Sequence, residues 1–214
     1  MYIKHPNPEL QARFTHRPFQ GAAPSSAKFL FVGLDANYDP SIEGSSVFSN
    51  ILEYHEDGVA FWHHYGIHHP FLLPAYRGDG RRYHLNFSSI GFLPVQAALV
   101  SFIELLHVPT VGRNKLTAED LDPAHLEMLN SYIVAGSAEH IFVSAGVARL
   151  MRETGFFPWL PKYADKSGTL PILYRNDSKT VYLHLHFSNY GKFQKQLEAE
   201  ASAIHSLLPD DGLI

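Results

Sequence analysis

The stretch Lys28 to Pro40, K-F-L-F-V-G-L-D-A-N-Y-D-P, decides how this chain is read. Phe29, Leu30, Phe31 and Val32 form a short apolar run rich in aromatic and β-branched residues. That is the composition of a strand buried on both faces. The run stops at Gly33, and Asp35, Asn37, Tyr38 and Asp39 follow. A buried strand that empties into a polar loop sets those side chains at the carboxyl edge of a sheet, where open α/β folds bind ligands. At this one place an ordinary strand exit, with Asp and Asn chosen for turn chemistry, reads the same way.

Working outward, residues 1–27 carry Pro6, Pro8, Pro18 and Pro24 and no sustained period, which predicts an irregular arm. Val47–Tyr54 predicts a turn or two of helix. Phe61, Trp62 and Tyr65 fall at helical spacing, with Gly66 as a stop. Tyr83–Phe87 alternates like a second strand. Residues 94–107 predict a helix, with Pro94 in its first turn and Leu99, Phe102, Ile103 and Leu106 as its apolar stripe. A basic loop, V-G-R-N-K, precedes a helix that is interrupted or restarted near Pro123 and runs to about Val134. His140–Ala145 predicts a third strand turning straight into a helix, and Lys179–Phe187 a fourth. An amphipathic helix over about Phe193–Leu208 closes the chain. Strands alternating with helices argue for a parallel sheet with helices on both faces. The expectation is one α/β domain over residues 1–214, a three-layer α/β/α sandwich around a central four-stranded parallel sheet.

The 214 residues are 45% hydrophobic and 18% charged, an ordinary globular balance. There are no cysteines, which excludes disulfides, thiolate zinc sites and iron–sulfur clusters. No run approaches the ~20 apolar residues of a membrane span, and the N-terminus lacks a signal-peptide core. The chain therefore reads as soluble and cytoplasmic. A net charge of −4 does not suggest a protein held on DNA by bulk electrostatics, but it leaves room for a local basic face. His63, His64, His68 and His69 cluster, yet Gly66 and Pro70 interrupt the helix and no Asp, Glu or Cys completes a ligand set, so no metal is expected. No cofactor is expected either, since no G-x-G-x-x-G or phosphate-loop motif occurs.

Four strand exits, G-L-D-A-N-Y, L-N-F-S-S, V-S-A-G-V-A and H-F-S-N-Y-G-K, stand in an order that resembles the uracil-DNA glycosylase superfamily. Gly33-Leu34-Asp35-Ala36-Asn37-Tyr38 is similar to a first motif of the form G-Q-D-P-Y-H. Ser144-Ala145-Gly146-Val147-Ala148 resembles the third element, and His186-Phe187-Ser188 the last, H-P-S-P-L, at its His and Ser. Phe61-Trp62 looks like a helix of the mismatch-specific and hypoxanthine branches. Both prolines of the last motif are replaced, by Phe187 and Asn189. Ala36 and Asn37 stand for the Pro and Tyr of the first. That Tyr blocks the thymine methyl group in the uracil-specific branch, so strict uracil selectivity is not implied.

The resemblance implies hydrolysis of the N-glycosidic bond of a flipped-out deaminated base, uracil or hypoxanthine, in DNA base-excision repair. It implies Asp35 as the carboxylate that activates water or steadies the sugar cation, and His186 as the donor to the base oxygen. Gly33, Asn37 and Tyr38 would line the substrate loop. Phe48 would stack on the base, a contact typically worth about 1–3 kcal/mol. Asn86 would read the base edge with its donor and acceptor. Tyr190 would wedge into the duplex, with Ser188 and Lys192 on phosphates. The alternatives are a catalytically inactive relative that binds nucleic acid or a nucleobase, and an unrelated small-molecule α/β hydrolase.

Overall fold

A computed structural model describes residues 2–112 and 115–209. Arg113 and Asn114 of the basic loop, and the tail beyond Pro209, lie outside them. Among the described residues the order is β1 (Ile3–Lys4), α1 (Pro8–His16), β2 (Phe19–Gly21), β3 (Phe29–Gly33) and β4 (Asn37–Tyr38), then α2 (Phe48–Glu56), α3 (Gly58–Tyr65), α4 (Arg81–Ser88), β5 (Val100–Glu104) and β6 (Thr110–Val111). There follow α5 (Pro123–Ala135), β7 (His140–Ser144), α6 (Ala145–Thr154), β8 (Ile172–Arg175), β9 (Thr180–His184) and α7 (Gln194–His205). No helix among them is long and apolar enough to cross a membrane.

The chain is α/β, and its main sheet is mixed and six-stranded, in the order β2-β5-β3-β7-β9-β8, rather than four-stranded and parallel. The inner strands β5, β3, β7 and β9 run parallel, and the edge strands β2 and β8 run antiparallel to them. Alternation along the strands sorts the core. Leu30, Val32, Ile103, Ile141 and Val143 meet Leu126, Leu129 and Ile133 of α5 and Val147 and Met151 of α6. Phe29, Phe31, Phe102, Phe142 and Tyr182 meet Trp62, Phe87 and the Leu197, Ala201 and Ile204 face of α7. Phe31 stacks on Phe142 at 4.6 Å and meets Phe87 edge-on at 5.1 Å, contacts of about 0.5–1.5 kcal/mol each beyond their buried area.

Three expectations are corrected. Tyr83–Phe87 lies in helix α4, not in a strand. The apparent alternation of Tyr83, Leu85 and Phe87 fails at Leu85, which is 50% exposed, whereas Phe87 is buried one turn after Tyr83. Residues 94–107 are not one helix: a 3-10 turn over Pro94–Leu99 leads into β5. Val100, Ser101, Phe102 and Ile103 are all buried, which one face of a surface helix cannot achieve and a central strand can. The N-terminal arm is ordered. Asn7 caps α1 by accepting from the Leu10 N–H at 2.9 Å, with Pro8 in the first turn. Leu10 and Phe14 then pack with Tyr38, Ile42, Val47 and Ile51 as a satellite core. Helix α3 ends as expected at Gly66, whose φ of 68° suits glycine.

Histidines are part of the interior. His69 and His84 stack face to face at 3.5 Å, His68 Nε2 lies 3.1 Å from His84 Nδ1, and the His69 Nδ1 accepts from the Phe71 N–H at 3.1 Å. Burial lowers their pKa values, that of His84 to about 3, and does the same to His55. An unfolded chain protonates these rings below about pH 6.5 while the folded one does not, so stability falls with pH through that window. Glu104, raised to about 8 chiefly by burial, acts in the opposite sense below that pH, but it is one group against several rings. Thermal melts are therefore expected to lose at least about 5 °C in Tm between about pH 7 and pH 5. An unchanged Tm would contradict the burial of neutral rings.

Candidate functional site at the carboxyl edge of the sheet

Parallel neighbours end at one level, and three strand ends meet here. Gly33, at the end of β3, is paired with Glu104, at the end of β5. The chain leaves β3 through Leu34 to Asp35, and leaves β9 through Leu185 to His186. Helix α4 brings Tyr83 against this edge, its ring 5.4 Å from that of His186.

The Glu104 carboxyl lies over the Cα of Gly33, where a β-carbon would fall 1.9 Å from Oε2 and 2.6 Å from Oε1. Only glycine permits this approach. Burial first, and then the neighbouring Asp35 charge, push the Glu104 carboxyl up to about 8, so it carries a proton at neutral pH. The Glu104 charge in turn raises the phenols of Tyr83, Tyr38 and Tyr54, after the larger effect of their burial. Asp35 is held by Thr110, whose hydroxyl donates to Oδ2 at 2.6 Å. The same hydroxyl accepts from the Asn37 amide at 3.1 Å, and the Thr110 N–H donates to the Ala36 carbonyl at 2.9 Å.

His186 sits at the rim. Its Nδ1 accepts from the Ser188 N–H at 3.2 Å and lies 2.6 Å from the Ser188 hydroxyl. An accepting Nδ1 places the ring hydrogen on Nε2. Crowding by surrounding protein lowers the His186 pKa, and the Asp35 charge opposes that in part. The result is a neutral imidazole whose Nε2–H has no acceptor among the described residues. His184, two residues earlier, faces the core instead. It is buried and donates from Nδ1 to the Leu185 carbonyl at 2.7 Å.

The predicted residues divide. Gly33, Asp35, His186 and Ser188 come together at the edge. Tyr38 does not: it is buried in the satellite core and shares a 2.7 Å hydrogen bond with His55 Nε2, because β4 turns its side chain inward. Phe48 opens α2 and packs half-buried against that same core. Asn37 is spent on Thr110 and the Gly112 carbonyl, holding the β4–β6 pair. Asn86 donates to the carbonyls of Phe187 and, at 3.0 Å, Asn189, so its amide fastens the loop after β9 rather than facing a ligand. Tyr190 is 65% exposed, with the Arg82 guanidinium 5.0 Å over its ring, and Lys192 lies over Phe193. Among the described residues, no group of three or more His, Asp or Glu side chains is arranged to hold a metal ion.

Sequence reasoning missed Glu104, Thr110 and Tyr83. The signal for Glu104 was present: V-S-F-I-E is an apolar run ending in a carboxylate, the same pattern as F-L-F-V-G-L-D. A groove of about 590 Å³ lies elsewhere, among Arg13, Glu53, Glu56, Phe61 and His64. Its acids are engaged, Glu56 with Arg13 and Glu53 with the Tyr65 hydroxyl. Compared with protein-family models, curated proteins and solved structures, the chain matches none of them.

Removing the Asp35 charge favours the Glu104 carboxylate. In Asp35→Asn the Glu104 midpoint, followed by carboxyl carbon NMR, is expected to move down from about 8 while staying above the ordinary value of about 4.5, since burial is the larger cause. A midpoint that stays put would show that the two carboxyls do not interact.

Proposed function

We propose that the chain hydrolyses the N-glycosidic bond of a flipped-out deaminated base in DNA, as a divergent relative of the uracil-DNA glycosylases that its motifs resemble. The observation that carries this reading is the convergence at one sheet edge of Asp35, held by Thr110, with His186, held as a neutral Nε2–H donor. Core clusters on both sheet faces suit a three-layer sandwich of that superfamily's kind.

The chemistry follows from those two groups. As the C1′–N bond breaks, its electron pair passes to the base and positive charge develops on the sugar. The Asp35 carboxylate is suited to face that cation, or the water that adds to C1′ and gives up a proton. The His186 Nε2–H is suited to a base oxygen on which negative charge grows. A neutral imidazole serves there better than a cation, because it holds one fixed hydrogen without drawing a counter-ion into the site. Arg82, Tyr190 and Lys192 outside the edge offer cations and an aromatic face to phosphates and bases. One departure from the superfamily pattern is plain. The main-sheet strand between the first and third motifs is β5, and it ends in Glu104 where the resemblance implies Asn.

Single-turnover base release from oligonucleotides containing uracil or hypoxanthine tests this. The wild-type chain is expected to release one of them, and Asp35→Ala to lower the rate by about 10²–10³-fold. Folded protein that releases no base would overturn the reading. Release that survives in Asp35→Ala would move the carboxylate role elsewhere. Thr110→Val, which keeps the shape and removes the donor, is expected to lower the rate roughly tenfold with little change in oligonucleotide affinity, about the worth of one charge-assisted hydrogen bond. A loss of affinity with an unchanged rate would place Thr110 in binding rather than in positioning Asp35.

A further inference from the structure

We propose that Glu104, in its acid form, reads the edge of the bound base, and that with His186 it selects a keto base. The inference rests on the reading above for the site and goes beyond it in naming the recognising group. Edge-reading is unassigned once Asn86 is spent on the Phe187 and Asn189 carbonyls. Glu104 is the polar side chain at the end of a central strand, level with Gly33 and next to Asp35. Its carboxyl lies over the bare Cα of Gly33. Among the described residues no group donates a hydrogen bond to that carboxyl. The Glu104 backbone carbonyl, by contrast, accepts from His125 Nε2 at 2.8 Å. A half-buried carboxyl that has no donor among the described residues and lies beside a second carboxylate has its acid form favoured.

A neutral carboxyl offers one O–H donor and one C=O acceptor side by side. A keto base offers the complement, a ring N–H next to a carbonyl. In uracil the N3–H lies between two carbonyls. The C=O of Glu104 can accept from N3–H, its O–H can donate to one carbonyl, and the His186 Nε2–H can donate to the other. Hypoxanthine carries the same N–H and carbonyl pair at N1 and O6, and its O6 has a second lone pair that can accept from the His186 Nε2–H. Adenine has no carbonyl for His186. An amide at position 104 would keep both the donor and the acceptor. A carboxylate would lose the donor and repel the base carbonyl.

The test is equilibrium binding of free uracil, hypoxanthine and adenine to the full chain by ligand-observed NMR, for wild type, Glu104→Gln and Glu104→Ala, at about pH 6.5 and about pH 9. Glu104→Gln does not titrate, so the wild-type to Glu104→Gln ratio cancels ionisation of the base itself. With Glu104 titrating near 8, that ratio is expected to fall about tenfold between the two pH values. Glu104→Ala, checked for folding by circular dichroism, is expected to lose about tenfold or more at both, and adenine to bind at least about tenfold more weakly than hypoxanthine. A ratio that is flat with pH, a Glu104→Ala chain that binds as wild type does, or a folded chain that binds no base overturns the proposal. Base release with Glu104-independent binding would leave the glycosidic reading standing and remove this one. Glu104-dependent binding without release would do the reverse.

Discussion

The carboxyl edge depends on one close approach, the Glu104 carboxyl resting on the Cα of Gly33 beside the Asp35 carboxylate. Two carboxyls in one poorly solvated place cannot both ionise cheaply, so one keeps its proton. Burial raises Glu104, while Asp35 sits farther along the exit from β3 and has the Thr110 hydroxyl to hold it. The two carboxyls thus differ by environment as well as by residue type. Gly33 is what makes the close approach possible. Any side chain there would drive the Glu104 carboxyl from its place, yet the displaced atoms belong to the end of a flexible chain, so the fold itself does not require the glycine.

The rest of the molecule fixes that edge from three sides. The parallel ladder sets Gly33 and Glu104 level. The small β1-β6-β4 sheet and the capped α1 tie down the loop after β3: the His5 ring bonds the Asp39 carbonyl at 3.1 Å, and the Thr110 N–H bonds that of Ala36. Helix α4 closes the third side, with Asn86 on the loop after β9 and Tyr83 against His186. Beneath it the His69 and His84 rings stack as flat, neutral residues, with His84 Nδ1 paired to His68 Nε2 and His69 Nδ1 accepting from the Phe71 N–H. Their cost appears only in acid.

How much of this was legible in the sequence varies by element. Buried strands β3 and β7 and the end of helix α3 show plainly, because apolar runs bounded by polar exits or glycine leave few alternatives. Asp35 and His186 were legible for the same reason, as polar residues just past such runs. Helix α4 was not, since Tyr83, Leu85 and Phe87 imitate a two-residue period and only burial reveals that Leu85 faces water. Strand β5 was hidden by Ala97, Ala98, Leu105 and Leu106, good helix formers around a β-branched centre, and burial on both sheet faces overrode them. Missing β5 meant missing Glu104. Asn86 and Asn37 show the other failure. Donor and acceptor chemistry says what an amide can do, and the fold had already used it.

The His186 donor, Glu104 and Asp35 on one sheet edge are the groups on which the proposed glycosidic chemistry rests. The most direct measurement is a crystal structure of the chain with an oligonucleotide carrying 2′-fluoro-2′-deoxyuridine or its inosine counterpart, in which the glycosidic bond resists cleavage. The base is expected to be flipped into the edge, with its N–H and carbonyl on Glu104, a carbonyl within hydrogen-bond distance of His186 Nε2, and C1′ facing Asp35. A base stacked elsewhere on the surface, with Glu104 and His186 unchanged and out of its reach, would contradict it.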